Sequence, residues 1–291
     1  MPEPQVWTIE AVLRWATEDF RARGIETPRL DAELLLAHAL ASTRIQLFVD
    51  AKRALEAPQL ARLRQLVTRR RSREPMAYIL GEREFYGRSF RVDRRVLVPR
   101  PDTEILVDVA LKRTRDLSMC MRALDLCTGS GCVAITLARE RPTSFVLATD
   151  LSEDAVTLAR ENALRLGAYN VAFRPGDLFL AVPPGCRFDL ITANPPYIPS
   201  RELESLQPDV RDFEPRMALE GGDDGLAFLR RIIEIAPSHL IPAGGVLAVE
   251  VAAGEAAAVA ALFEAAGFGG VDVCRDYARI ERVVSGVLNG R

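Results

Sequence analysis

After Pro101 the chain alternates short apolar runs with longer amphipathic ones, and this alternation constrains the fold more than any other feature. Strand-like runs fall at 123–127, 145–150, 171–174, 189–193, 246–251, 271–274 and 283–287, and helical patterns fill most of the gaps, as at 153–166 and 254–266. Parallel neighbours in a sheet need a crossover between them, and a helix is the usual one. The alternation therefore predicts an α/β domain built on a doubly wound, mostly parallel sheet. Ligands of such sheets lie at the carboxyl ends of the strands, near the point where the strand order reverses. With 48% hydrophobic and 27% charged residues the chain has the apolar material for a real core.

The first 80 or so residues follow a different rule. Ile9, Leu13, Ala16 and Phe20 recur at helical spacing, and Gly24 supplies a stop. Thr27-Pro28 reads as an N-cap followed by proline in the first turn, with Leu30, Leu34, Ala37 and Ala41 on one face. Pro58 opens a further helix, with Leu60, Leu63 and Val67 inward and its arginines outward. Between the two regions, 90–92 and 96–98 alternate around Asp93-Arg94-Arg95 and suggest a β-hairpin. The expected organisation is a helical domain over 1–83, a hairpin linker over 84–100 and the α/β domain over 101–291.

Four strand ends carry chemistry. Asp125-Leu126-Cys127-Thr128-Gly129-Ser130-Gly131 leaves the first strand and enters a helix, and its glycines let the backbone approach a ligand closely. With Ala134 it also satisfies the dinucleotide pattern, so this loop alone does not separate a nicotinamide cofactor from S-adenosylmethionine. Asp150 ends the second strand, where a carboxylate can accept from both ribose hydroxyls that either cofactor offers. Asp177 ends the third and can accept from an adenine amino group, with Leu178 against the ring.

The fourth strand end decides between them. Asn194-Pro195-Pro196-Tyr197 follows an apolar run, and its prolines stiffen the loop. An amide nitrogen is a poor nucleophile, but a fixed Asn oxygen and a fixed backbone carbonyl can each accept from an –NH2 group and aim its lone pair, while Tyr197 packs on the group that carries it. Such a site suits methyl transfer to a planar nitrogen, and nothing in the chain supplies a hydride-handling site. S-adenosylmethionine is the expected cofactor.

Charge and composition exclude little but point one way. The net charge of −2 does not announce a nucleic-acid binder, although six arginines crowd into 62–73. Such a run is usually the wet face of a helix, the other reading being a patch that meets an acidic surface. Five scattered cysteines suit reduced thiols and not a disulfide framework. Two histidines, His38 and His239, make a histidine metal site or triad improbable, and no metal is expected. No apolar run reaches membrane-spanning length, and Met1-Pro2-Glu3-Pro4-Gln5 lacks the features of a secretory leader, so a cytoplasmic protein is expected.

The glycine loop, Asp150 and Asn194-Pro195-Pro196-Tyr197 are shared by many amino-group methyltransferases. Four further stretches narrow the likeness: Gly81-Glu82-Arg83-Glu84-Phe85-Tyr86-Gly87, Val98-Pro99-Arg100-Pro101-Asp102-Thr103-Glu104, Gln207-Pro208-Asp209-Val210-Arg211-Asp212-Phe213-Glu214-Pro215 and Arg275-Asp276-Tyr277. Together they resemble the release-factor glutamine methyltransferases, the PrmC/HemK family, across essentially the whole chain.

The resemblance implies a Rossmann-like class I methyltransferase domain with a seven-stranded sheet, preceded by a helical domain that helps hold the partner. It implies methylation of the glutamine N5 in a Gly-Gly-Gln motif of peptide chain release factors, a step that serves translation termination, by a protein expected to act as a monomer without direct nucleic-acid binding. It assigns Cys127, Thr128, Gly129, Ser130, Gly131, Asp150, Asp177 and Leu178 to the cofactor. It assigns Asn194, Pro195, Pro196 and Tyr197 to the glutamine site, Asn194 also bordering the cofactor. Arg100, Thr103 and Glu104 are expected to share a supporting role. Cys127 stands where many members have Gly, a change that a small thiol tolerates if the backbone there is not left-handed, and Leu178 stands where some have an aromatic.

The tetrapeptide itself does not distinguish a carboxamide from the amino group of a base in RNA or DNA. That substrate class is the alternative enzyme reading, and a non-catalytic binding protein is the third.

Overall fold

A computed structural model describes residues 7–115, 120–242 and 244–290. The chain divides into two compact units, one of residues 1–81 with 208–213 and one of 82–207 with 214–291.

The first unit is helical: α1 (Ile9–Ala22), α2 (Pro28–Leu40), α3 (Arg44–Val49), α4 (Ala57–Arg71) and α5 (Met76–Leu80). Thr8 caps α1 by accepting from Ala11 N, and Ile9, Val12, Ala16 and Phe20 form its buried stripe. The expected face of α2 is corrected. Leu30 is exposed and Leu34 half-buried, while Ala32, Leu35, Leu36 and Ala39 are buried. The apolar residues of this helix are spread around its axis among Arg29, Asp31, Glu33 and His38, and it is packed by α1, α3 and α4, so periodicity gives it no single inward face. Thr27 forms no side-chain cap bond to the backbone, its hydroxyl donating instead to Asp31 Oδ1 at 2.7 Å.

The arginines of α4 are also not uniformly outward. Arg70 is 5% exposed, with Nε 2.7 Å from Asp31 and Nη1 2.6 Å from Asp209. Arg69 pairs with Glu74, Arg71 with Asp19 and Arg73 with Asp209. Arg62 and Arg64 remain exposed. Asp209 arrives on a short helix, α9 (Pro208–Arg211 in chain order), within the 208–213 segment that belongs to this unit.

The second unit begins with β1 (Glu82–Phe85) and β2 (Arg88–Arg91), an antiparallel pair. The hairpin therefore lies earlier than expected. Its turn is Tyr86-Gly87, both at positive φ (51° and 69°), the geometry that two-residue hairpins require. Asp93-Arg94-Arg95 offers no glycine for such a turn, and 92–100 is irregular. The α/β succession follows as α6 (Glu104–Arg113), β3 (Arg122–Leu126), α7 (Cys132–Glu140), β4 (Phe145–Asp150), α8 (Glu153–Leu166), β5 (Val171–Pro175) and β6 (Leu190–Ala193). After the 208–213 segment come α10 (Ala227–Ile235), β7 (Val246–Glu250), α11 (Ala256–Ala265), β8 (Phe268–Arg275) and β9 (Glu281–Leu288).

The seven strands β3–β9 form one sheet in the order β5-β4-β3-β6-β7-β9-β8. Neighbours from β5 to β7 run parallel, while β9 is antiparallel to β7 and β8. The last reversal follows from chain length, because the few residues between β8 and β9 reach an antiparallel partner but are too few for a crossover. Alternate residues feed the two faces. Ala123, Val146, Ala148, Leu190 and Val246 pack with Leu106, Ile135 and Ala159 of α6, α7 and α8. Leu124, Leu147, Ile191 and Leu247 pack with Ile232 of α10 and Val259 and Phe263 of α11. The strand order reverses between β3 and β6, with Leu126 opposite Ala193 at their carboxyl ends. The glycine loop and the Asn-Pro-Pro-Tyr loop leave the sheet side by side at that point.

Candidate active site

The glycine loop is held from beneath by Asp125, which is 2% exposed. Its two carboxyl oxygens accept from the hydroxyls of Thr128 (2.6 Å) and Thr192 (2.7 Å), and burial raises its pKa to about 6 against those bonds. One buried acid thus ties the loop after β3 to the strand β6. Cys127 adopts φ 57°, so the thiol does stand on left-handed backbone, and Leu178 does likewise at 46°. Burial pushes the Cys127 thiol well above its ordinary value.

The two glycines differ in what they do. At Gly129 (φ 54°) a Cβ would meet no atom within 4 Å, whereas at Gly131 (φ 81°) it would lie 2.9 Å from Ile135 Cδ1 and 3.2 Å from Ala159 Cβ. Gly129 therefore leaves open space for a ligand, and Gly131 lets α7 pack. Asp150 accepts from Gly129 N at 2.8 Å and Ser152 N at 2.9 Å, bonds that partly offset the upward push of burial on its carboxyl. Its two oxygens have about four acceptor positions, so lone pairs remain for further donors. Asp177 Oδ2 is 2.6 Å from Arg231 on α10.

Asn194 donates through Nδ2 to Thr103 Oγ1 at 3.2 Å. Tyr197 donates through its hydroxyl to Glu250 Oε1 at 3.5 Å, and burial raises the pKa of that hydroxyl. Pro195 and Pro196 are buried, Asn194 and Tyr197 half-buried. The loop is then clamped from outside. Ile198 N donates to Leu219 O, Gly221 N donates to Ile198 O, and Gly221 and Gly225 press directly on the Tyr197 backbone.

A cleft opens over these strand ends. Cys127, Gly129, Asp150, Asp177, Leu178, Asn194 and Pro196 all line it. A smaller adjoining cavity shares Cys127, Gly129 and Asn194 and adds Thr128, Ser130, Asp125, Arg100 and Thr103. Gly131, Pro195 and Tyr197 line neither. Among the described residues no cluster of three or more His, Cys, Asp or Glu is arranged to hold a metal.

The Arg100-to-Glu104 stretch divides its work among three neighbours. Arg100 pairs with Glu214 at 2.7 Å, Thr103 meets Asn194, and Glu104 accepts from Tyr86 N at 2.7 Å in the hairpin turn. Several contributors were not legible beforehand. Leu97, Leu151 and Phe228 give the cleft apolar walls. Asn162, fully buried on α8, bonds both Arg91 N and Arg91 O and donates to Ser130 O, which fixes the glycine loop against β2. Glu250 ends the apolar β7, where a lone acid in a buried strand was the available signal.

Residues 11–81 match the PrmC N-terminal domain family, and 117–262 match a methyltransferase domain family. The chain is 44% identical over 284 residues to the release factor glutamine methyltransferase of Geobacter sulfurreducens, covering 98% of each chain. It is 43% identical to the enzyme of the same name from Vibrio cholerae, covering 96% of each. A solved methyltransferase from Pyrococcus furiosus aligns with a TM-score of 0.52 at 20% identity over 70% of this chain and 91% of that one, a likeness of fold alone.

Proposed function

The chain belongs to the release factor glutamine methyltransferase family, and we propose on that footing that it transfers a methyl group from S-adenosylmethionine to a glutamine side-chain nitrogen of peptide chain release factors. The acceptor is the glutamine of their Gly-Gly-Gln motif. The observation that carries this reading is the position of Asn194-Pro195-Pro196-Tyr197, which leaves β6 beside the glycine loop at the reversal of strand order and borders the cleft.

The residues present fit the cofactor. Gly129 leaves room where any other residue would place a Cβ, Asp150 retains acceptor positions for a ribose diol, and Leu97, Leu178 and Phe228 supply apolar walls for a purine. Asp177, held by Arg231, presents its carboxylate near the same wall for an exocyclic amine. Bound there, S-adenosylmethionine supplies an electrophilic methyl on a sulfonium.

The protein's own part is positioning. The Asn194 amide oxygen and the Pro195 carbonyl each accept one N–H of the incoming carboxamide, so the nitrogen lone pair points along the line of displacement. Alignment of this kind accounts for roughly 7–11 kcal/mol of barrier in favourable cases. The same acceptors stabilise positive charge as it grows on the nitrogen. The proton becomes acidic only as the new bond forms, so no strong base is assigned. The cytoplasm, where peptide release occurs, is the proposed site of action, and the monomer the proposed acting form.

The test is one transfer assay with labelled S-adenosylmethionine and a release factor beside its Gly-Gly-Gln→Gly-Gly-Ala variant. Label on the first and none on the second supports donor, acceptor and substrate class together. Label on neither, with bound cofactor verified, sinks the substrate assignment. Asn194→Ala is expected to lower kcat by roughly 100-fold while cofactor affinity changes far less, and equal losses would count against the orienting role. The nucleic-acid alternative loses its best feature, because Arg69, Arg70, Arg71 and Arg73 are committed to acidic partners within the helical unit.

A further inference from the structure

The helix α8 reaches the glycine loop at two points one turn apart. A Cβ on Gly131 would lie 3.2 Å from the Ala159 methyl, and Asn162, three residues on, donates through Nδ2 to Ser130 O at 2.9 Å. Asn162 is 0% exposed, on a buried face that α8 otherwise builds from apolar residues such as Val156, Ala159 and Ala163. A buried amide is costly unless its donors and acceptor are used. Here Oδ1 accepts from Arg91 N at 2.8 Å, and Nδ2 also donates to Arg91 O at 3.0 Å. Three of the four bonding positions of the amide are filled, each by main chain.

The two bonds to Arg91 supply a fixed point. Taking both the N–H and the C=O of one residue is what a neighbouring strand does, and Arg91 is the last residue of β2. The hairpin is itself anchored, by the bond from Tyr86 N to Glu104 and by the buried Phe85 and Phe90. The third bond acts on the loop. It holds the Ser130 carbonyl toward α8, while Gly131 N, on the same peptide group, donates to Thr128 O at 2.8 Å. Both ends of that peptide are committed, so it cannot rotate its carbonyl toward the cleft without breaking two bonds. On one side of it Gly131 lets α7 pack. On the other Gly129 leaves room for a ligand and donates to Asp150, the carboxylate placed to receive a ribose diol.

We propose that Asn162 is a positioning residue for cofactor binding: it sets the Ser130–Gly131 peptide of the glycine loop and uses β2 as the fixed point against which the loop is held. That the ligand of this loop is S-adenosylmethionine rests on the methyl-transfer reading, but the dependence of the loop on Asn162 does not.

The experiment uses the full chain with Asn162→Leu, Asn162→Ser and, for comparison, Asn170→Leu. Asn170 precedes β5 and makes a like set of bonds, to Ala138 O, Arg141 O and Ser144 O, but lines neither the cleft nor the adjoining cavity. Affinity for S-adenosylmethionine by calorimetry, melting temperature and the amide exchange rates of Gly129 and Gly131 are measured for each. Both Asn162 variants are expected to weaken cofactor binding roughly 10- to 100-fold, the scale on which partners that orient binding groups act, and to speed exchange at the two glycines. With saturating cofactor, kcat and the KM for a release factor change far less. Asn170→Leu lowers the melting temperature but leaves cofactor affinity and glycine exchange at wild-type values. The smaller Ser variant admits water to the stranded main-chain groups and gives the same readings should the Leu variant not fold. Wild-type affinity in a folded Asn162 variant, unchanged exchange at both glycines, or a loss of affinity in all three variants that tracks melting temperature would overturn the proposal. If the wild type binds no S-adenosylmethionine while the glycines respond to Asn162 as expected, the loop assignment stands and the cofactor reading falls.

Discussion

At the scale of single residues, Cys127 and Glu250 each depart from the least strained solution in a way that can be tested. Cys127 holds φ 57°, a region in which a Cβ costs roughly 1–2 kcal/mol. Replacing it by Gly removes that strain but gives the unfolded chain more freedom, which returns about 0.4–1 kcal/mol. Cys127→Gly is therefore expected to raise the melting temperature by about 2 °C, since 1 kcal/mol shifts a domain of this size by roughly 2–4 °C. Differential scanning calorimetry decides it, and an unchanged or lower value would mean the thiol contributes packing that the backbone strain hides.

The second departure is Glu250. Burial raises its pKa to about 7, against the opposing influence of the Thr103 and Tyr197 hydroxyls and Arg282, with the nearby Asp102 adding to the rise. An unfolded Glu releases its proton near 4.5, so between that value and about 7 the folded state binds more protons than the unfolded one. Stability is greatest below the unfolded value and falls as pH rises through this window, by on the order of 3 kcal/mol. Glu250→Gln carries no charge at any of these pH values. Melting curves at pH 5 and pH 8 are expected to show the variant gaining on the wild type at pH 8, and parallel curves would place the titration elsewhere. Asp125, raised to about 6, contributes in the same direction in both proteins.

At the scale of elements, the tetrapeptide depends on a loop well removed from it in sequence. A Cβ on Gly221 would lie 2.7 Å from Tyr197 Cα and 2.6 Å from Gly225 O, both backbone atoms that have no rotamer to yield. Gly221→Ala must therefore displace Asn194-Pro195-Pro196-Tyr197 itself. A shift of about 1 Å at a reacting centre costs on the order of 100-fold in rate, and that loss in kcat is the expected result, with far-UV circular dichroism verifying the fold. Near wild-type turnover would show that the loop moves instead of the tetrapeptide. The sequence displayed these glycines but not their purpose, because a glycine needed for close approach looks the same as one needed for a turn until its neighbour is known.

At the scale of the whole molecule, the helical unit is held by charge as well as by its apolar core. Arg70 joins Asp31 of α2 to Asp209 of the 208–213 segment. Arg70→Ala leaves Asp31, 3% exposed, without its counter-charge, and the loss of one partner from a buried pair costs roughly 3–5 kcal/mol. Urea unfolding of the full chain is expected to show that loss. Exposed Arg62→Ala is expected to change stability by less than about 0.5 kcal/mol, and equal effects at the two positions would show that Arg70 is not held as described.

The elements of the α/β unit were legible because strand and helix periodicities are local properties. Predicted spans at 145–150 and 153–166 coincide with β4 and α8. The loops at strand ends were legible for a related reason, since glycines, prolines and carboxylates punctuate the chain where it leaves a strand. What the sequence by itself determined was therefore the order of elements and the residues offered at their ends. Tertiary structure alone decided which ends meet. It placed β6 beside β3, chose the inward face of a helix whose apolar residues are spread around its axis, turned an arginine run into internal ion pairs, and brought Asn194 against Thr103 and Tyr197 against Glu250. Each of these joins residues far apart in the chain, and the energy that selects them comes from packing and charge pairing in the folded state, which leave no periodic trace along the sequence.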